Sequence, residues 1–248
     1  MHGSYFFDNI LGMLYNWVRE EFNGMQPKKF FTADLHLGHK NILTLTKRKF
    51  DSIEEHDAFV IHSINETVKV SDNLYILGDL GFHKDFQSLL NYLTQIKCKN
   101  IHVILGNHDN KQHLIQMRRE GVIADVQETK TVQQLKRSIV CSHYPMREWH
   151  GYYRGYYAAY GHCHGNLPPF ERSMDVGIDS IGFNPIEFDD LIDRIEGNYR
   201  RENSRITSTD EQINKYFPDL NTTYFVNLCT EDKRIRDKIM EVLKDNGN

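Results

Sequence analysis

The stretch Phe30 to Asn41 reads F-F-T-A-D-L-H-L-G-H-K-N. Its apolar start stops at Asp34, and His36 follows two residues later. A carboxylate and an imidazole delivered together at the end of a buried strand make half of a divalent-metal site. Standing alone, a D-x-H triplet arises by chance in many chains, and a strand-end Asp beside a surface His is the default reading. The rest of the chain changes that, because it supplies matching fragments in order.

Four more apolar runs end in the same way. Leu74 to Leu77 runs into Gly78-Asp79, and Ile101 to Leu105 into Gly106-Asn107-His108-Asp109. Ser138 to Cys141 runs into Ser142-His143, and Tyr156 to Tyr160 into Gly161-His162-Cys163-His164. In open α/β sheets, ligands gather beyond the carboxyl ends of the strands. Parallel strands would therefore bring Asp34, His36, Asp79, Asn107, His143, His162 and His164 to one edge. Helical patterns separate the early runs. Ser52 with Glu55 opens one as a capping box, followed by Ile53, Val60, Ile64 and Val68 on its buried side. Phe86, Leu89, Leu90 and Leu93 mark a second, and residues 112–120 a third. Met174 to Ile178 is a last expected strand. Strand–helix alternation early and strands late predict an α/β protein with layered sheets.

The chain has 248 residues, 40% hydrophobic and 26% charged, which suits one large domain with appendages. Ile10, Leu14, Trp17 and Val18 fall at helical spacing, so residues 1–26 read as a helical appendage. Residues 27–195 form the main domain, and 196–248 a polar linker with a small αβ tail that could dock or oligomerise. A net charge of −4 gives no global attraction to long nucleic acid or anionic membrane. Cys98, Cys141, Cys163 and Cys229 form no C-x-x-C pair, and no stretch reads as a signal peptide or spanning helix. A cytoplasmic enzyme is the expectation.

The series D-x-H, G-D, G-N-H-D, H, G-H-x-H resembles that of the calcineurin-like metallophosphoesterase superfamily, over roughly Lys28 to Pro185. D-L-H-L-G-H-K-N, S-H-Y-P followed by Trp149, and D-V-G-I-D at Asp175 to Asp179 resemble a group of small bacterial and phage phosphoesterases. The resemblance implies a four-layer αββα sandwich holding two divalent metal ions, with metal-activated hydroxide attacking phosphorus. It assigns Asp34, His36 and His164 to one metal, Asn107, His143 and His162 to the other, and Asp79 to both. It also assigns His108 to a phosphoryl oxygen or the leaving group, with Asp109 orienting its ring. Mixed imidazole and oxygen ligands suit Mn, with Fe, Ni or Zn as alternatives, better than Mg or Ca.

Other positions carry two readings each. His39 is either a phosphate contact at the pocket entrance or a loop-bonding imidazole. Lys47, Arg48 and Lys49 form a loop that either meets substrate anions or is simply solvated. Related sequences have R-P-F there, whereas this chain has Arg48-Lys49-Phe50. Arg147 is a candidate phosphate clamp. The tyrosines from Tyr152 to Tyr160 either pack the sheet or stack a base, and Cys163 is read as packing. The substrate expected is a small phosphodiester or pyrophosphate of nucleotide-like chemistry. A metal-dependent nuclease and a non-catalytic binding module on the same fold are the competing readings. The full ligand set argues against the module.

Overall fold

The computed structural model describes residues 26–82 and 85–200. The expected N-terminal helix, His83, Cys229 and the αβ tail lie outside the described residues. The chain divides into two compact units, Met1–Ile195 and Glu196–Asn248, and the elements below belong to the first.

Two parallel-rich sheets and their helices make a mixed α/β fold. The first sheet contains β1 (Lys29–Thr32), β2 (Asn73–Leu77), β3 (Asn100–Ile104), β4 (Asp125–Gln127) and β9 (Ile186–Glu187), in the order β4-β3-β2-β1-β9. Its first four strands are parallel, and β9 is antiparallel to β1. The second contains β5 (Thr129–Gln134), β6 (Arg137–Ser142), β7 (Tyr157–Tyr160) and β8 (Ser173–Asp175) in sequence order. There β5 and β6 form a hairpin, while β6, β7 and β8 run parallel. The helices are α1 (Ile42–Leu45), α2 (Ile53–Thr67), α3 (Phe86–Leu93), α4 (Lys111–Arg119) and α5 (Ile178–Ile181), and another begins at residue 188.

The two-residue period of the strands sorts their apolar side chains to two cores. Phe30, Leu74, Ile76, Ile101 and Val103 join Val60 and Ile64 of α2, Leu89 and Leu93 of α3, and Leu114 and Met117 of α4. The alternate residues Phe31, Ala33, Tyr75, Leu77 and Ile104 share a second core with Val132, Ile139, Cys141, Ala159 and Val176. The two sheets are thus joined through a common apolar core. Ser52 caps α2 as expected, its hydroxyl accepting from Glu55 N at 3.1 Å, while the Glu55 carboxylate takes Asp51 N at 3.0 Å.

The expected strand Met174 to Ile178 is shorter than its apolar pattern. It ends at Asp175, and Gly177 instead begins α5 and bridges Ala33 at the end of β1. That bridge ties the two sheets together at the edge where the candidate ligands emerge.

Candidate metal centre

The seven candidate ligands come together at that edge. Asp34, His36 and His164 form one group and Asp79, His143 and His162 another; within each group the ligand atoms lie within 4.8 Å of one another. Asp79 joins the two. Its Oδ1 accepts the His108 amide at 2.9 Å, which leaves Oδ2 at 3.6 Å from His36 Nε2 and 3.5 Å from His143 Nε2. Asn107 Oδ1 stands 2.9 Å from both His143 Nε2 and His162 Nδ1.

The local backbone explains why these residues turn inward where the strands stop. Asp34, His36, Asp79, His162 and His164 all have positive φ, between 48° and 70°. Non-glycine residues avoid this region, at a cost of roughly 1–3 kcal/mol each, and such strain gathers at functional sites. The glycines in each motif have a packing reason. A Cβ on Gly78 would lie 2.2 Å from His143 Nδ1, one on Gly106 2.2 Å from Asp79 Oδ1, and one on Gly177 2.4 Å from Asp34 Oδ2.

Three of the four ligand rings are held by their other nitrogen. His143 Nδ1 donates to Leu77 O at 2.9 Å, so Nε2 faces Asp79 and Asn107. His164 Nδ1 donates to Asp179 Oδ2 at 2.7 Å, and His36 Nδ1 pairs with His39 Nδ1 at 3.2 Å. Such outer contacts set which nitrogen is free to ligate.

The electrostatics suit a bound cation. Burial pushes the Asp34 carboxyl up to about 7 even though the His162 amide donates to it. Burial lowers His36 to about 3, despite the nearby Asp79, and leaves its ring neutral, as a metal ligand must be. Burial alone would raise Asp79, but hydrogen bonds from His143 and the His108 amide, with the histidine charges, bring it down to about 2. His36 Nε2 is buried without a hydrogen-bond partner. A buried carboxylate reluctant to ionise beside an orphaned imidazole nitrogen fits a divalent ion at the first group. At the second, two acceptor oxygens, Asp79 Oδ2 and Asn107 Oδ1, face one His143 nitrogen; burial would lower the His143 pKa, but the Asp79 carboxylate raises it.

His108 is exposed at the mouth of the site, its ring centre 5.4 Å from that of His36 and 5.8 Å from that of His39. Asp109 does not orient it. The Asp109 carboxylate accepts the amides of Asp79 at 3.0 Å, Leu80 at 3.0 Å and Gly106 at 2.8 Å, and so clamps the β2 and β3 ends together. These three main-chain donors, rather than the His108 ring, are the partners the carboxylate has among the described residues, which corrects the expected role. His39 contacts His36 and stacks on Phe82 at 4.7 Å. Arg147 is exposed, with its guanidinium 5.0 Å above the Phe170 ring.

Arg48 departs furthest from its expected place. It is buried, unlike exposed Lys47 and Lys49, and its guanidinium reaches protein groups rather than an open surface. Of the tyrosine segment, Tyr152 and Tyr156 pack against Trp149, Val140 and Ala158, with Trp149 Nε1 donating to Tyr156 O at 2.9 Å, whereas Tyr153 is exposed. Sequence reasoning missed Asp179 and Asp175 as site residues, although both stand in the quoted D-V-G-I-D. Asp175 accepts the Gly165 amide at 3.0 Å and the Gly177 amide at 2.7 Å, fixing the loops behind His164 and Asp34.

No family model matches the chain. An uncharacterized protein of Methanocaldococcus jannaschii, MJ1445, is 24% identical over 176 residues, covering 68% of this chain and 92% of its own. The gene 66 protein of Mycobacterium phage L5 is 35% identical over 82 residues, covering 32% of this chain and 39% of its own. Among solved structures, AQ665 from Aquifex aeolicus, a protein of unknown function, superposes with a TM-score of 0.54 at 18% identity, covering 68% of this chain and all of its own. That likeness shows the fold alone. YfcE, a phosphoesterase from E. coli, superposes with a TM-score of 0.33 at 17% identity, over 60% of this chain and 78% of its own, which is too loose to bear on function.

Proposed function

We propose that this chain is a dinuclear-metal phosphoesterase, hydrolysing a phosphodiester or pyrophosphate of a small, nucleotide-like molecule. The observation that carries the reading is the Asp79 carboxylate, with Oδ2 held between His36 and His143 at 3.6 and 3.5 Å. One oxygen poised between two His/Asp groups is what a bridged pair of cations needs. We read the two sheets and their coverings as the four-layer sandwich of such enzymes. Manganese is the ion we favour for this mixed oxygen and imidazole set. When bound, two such ions neutralise phosphoryl charge and make a water nucleophilic near neutral pH.

The protein's own groups do the rest. Leu77 O and Asp179 hold the His143 and His164 rings with Nε2 free. The His108 amide fixes Asp79, and the His108 ring, at the mouth, is placed to hydrogen-bond a phosphoryl oxygen or to give a ring proton to the leaving oxygen. Cys98, Cys141 and Cys163 are unpaired, which suits a reducing compartment, and we place the enzyme in the cytoplasm. Among the described residues no helix is long and apolar enough to cross a membrane.

The test is hydrolysis by metal-stripped protein reloaded separately with Mn, Ni, Zn or Mg. An aryl phosphodiester, an aryl monoester, cyclic nucleotides, a dinucleotide pyrophosphate and single-stranded DNA would be compared, with Asp79→Asn as the control. Metal-dependent turnover of a small diester or pyrophosphate, lost in the variant, is expected. Two bound ions without turnover of any compound would favour the binding module, and preference for DNA the nuclease.

A further inference from the structure

A chain of buried side chains runs behind the first ligand group. Arg48 Nε and Nη2 form a fork on Asp179, at 2.9 Å to Oδ1 and 2.6 Å to Oδ2. Nη2 also donates to Asp34 O at 2.8 Å, and Nη1 to Leu35 O at 3.2 Å and His56 Nε2 at 3.0 Å. A guanidinium has only N–H donors, five of them, and these five contacts use them all. Because Arg48 can only donate, His56 Nε2 is an acceptor and its Nδ1 carries the proton donated to Asp57 Oδ1 at 2.8 Å. Asp57 Oδ2 in turn accepts the Gly38 amide at 2.8 Å. The chain therefore begins and ends on the metal-site loops, at Gly38 and at His164.

We infer that Arg48 and Asp179 are positioning residues for the ion held by Asp34, His36 and His164. Asp179 holds the His164 ring through Nδ1. Arg48 holds Asp179 in place and takes up the carbonyls of Asp34 and Leu35, next to the left-handed turns at Asp34 and His36. Among the described residues the second group has no such backing: His143 rests on a main-chain carbonyl, and His162 Nδ1 faces Asn107. The inference rests on the dinuclear reading, and it adds that the two ion sites depend on different supports.

Lysine at position 48 keeps the charge but offers three donors on one atom, with no fork. Asparagine at 179 keeps the shape but loses the carboxylate. The experiment is calorimetric titration of metal-free full-length protein with Mn, comparing wild type, Asp179→Asn, Arg48→Lys and, as a control on the other group, His162→Ala. Wild type should show two binding events. Asp179→Asn and Arg48→Lys should weaken one by about 10–100-fold, the usual effect of removing an outer-shell partner, and the other by clearly less. His162→Ala should weaken the opposite event. Equal weakening of both events, or of neither, overturns the positioning role. Wild-type protein with fewer than two events overturns the dinuclear reading and this inference with it.

A second measurement needs no variant. Nitrogen-resolved imidazole NMR of zinc-loaded wild type should show His164 protonated at Nδ1, in a strong hydrogen bond to a carboxylate, and His56 protonated at Nδ1. The opposite His164 tautomer would overturn the proposal even if both variants failed to fold.

Discussion

Asp34, His36 and His164 sit in front of a largely buried ionic network, whereas Asp79 and His143 are steadied mainly by the main chain. His164 is half-buried and His162 is exposed. A carboxylate or a carbonyl behind an imidazole fixes its ring and raises its basicity, and the carboxylate adds a full negative charge. The difference is one of support: a carboxylate–guanidinium pair stands behind His164, and main-chain groups hold Asp79 and His143. Asp79, touching both, is where the two plans meet.

The largest expected effect comes from a residue that belongs to neither group. His108→Ala should keep two-ion binding, because the ring is in neither set of ligands. It should lower turnover by about 10²–10⁴-fold, the usual range for a positioned acid. Single-turnover rates on esters with poor and good leaving groups would check this, with the larger loss on the poor one. Equal activity on the poor leaving group would sink the role.

The glycines separate the two groups sterically. Gly78→Ala puts a Cβ 2.2 Å from His143 Nδ1 at φ +89°, and Gly177→Ala one 2.4 Å from Asp34 Oδ2. Each should cost about 1–3 kcal/mol through overpacking. Each should also weaken one binding event in a metal titration, Gly78→Ala the second group's and Gly177→Ala the first's. Gly121→Ala, with φ +73° and nothing within 4 Å of the new Cβ, should cost only about 1 kcal/mol of backbone strain and leave both events alone. If either site variant weakened both events alike, the two groups would be one unit and the contrast would fail.

Much of this was legible from residues at the ends of apolar runs, because a parallel sheet must deliver them to one edge. The contacts behind them were not. Arg48 and Asp179 are 131 positions apart, and nothing local to K-R-K marks the middle cation as buried. Strand β5, T-K-T-V-Q-Q, carries no apolar alternation, because only Val132 turns into the core. The short β4 and β9, of three and two residues, are held by pairing with their neighbours rather than by a pattern of their own. Asp109 was read by analogy with carboxylates that orient catalytic imidazoles, and its neighbour in sequence proved to be the wrong partner. At the bend after β3 the amides of Gly106, Asp79 and Leu80 are closer to hand.

Asp109→Asn tests that correction and should have a smaller effect. The amide would turn a donor toward at least one of the three N–H groups at Asp79, Leu80 and Gly106. Leaving one unsatisfied costs about 1–3 kcal/mol, read as a lower urea midpoint. Turnover should fall only as far as Asp79 shifts. A large loss of turnover at unchanged stability would restore the ring-orienting role.

The smallest effect lies away from the ligands, in the sheet that carries the first of them, and it sharpens the contrast by showing what an imidazole does when no ion is in question. His102, on β3, stacks on Tyr75 with ring centres 4.6 Å apart, and its Nδ1 is buried without a partner. Burial and the nearby Lys130 lower its pKa, against the pull of Asp125. In the unfolded chain the ring takes a proton below the ordinary value of 6.5, while in the folded chain it stays neutral to lower pH. The unfolded state then binds more protons, so stability must fall as pH drops through and below 6.5. His102→Phe keeps the stacked ring and removes the titration. Its stability, measured by urea unfolding of metal-free protein from pH 8 to pH 5, should decline less than that of wild type. Parallel declines would mean that His102 is not desolvated in the fold and that the pH response lies with other groups, the ligand histidines among them.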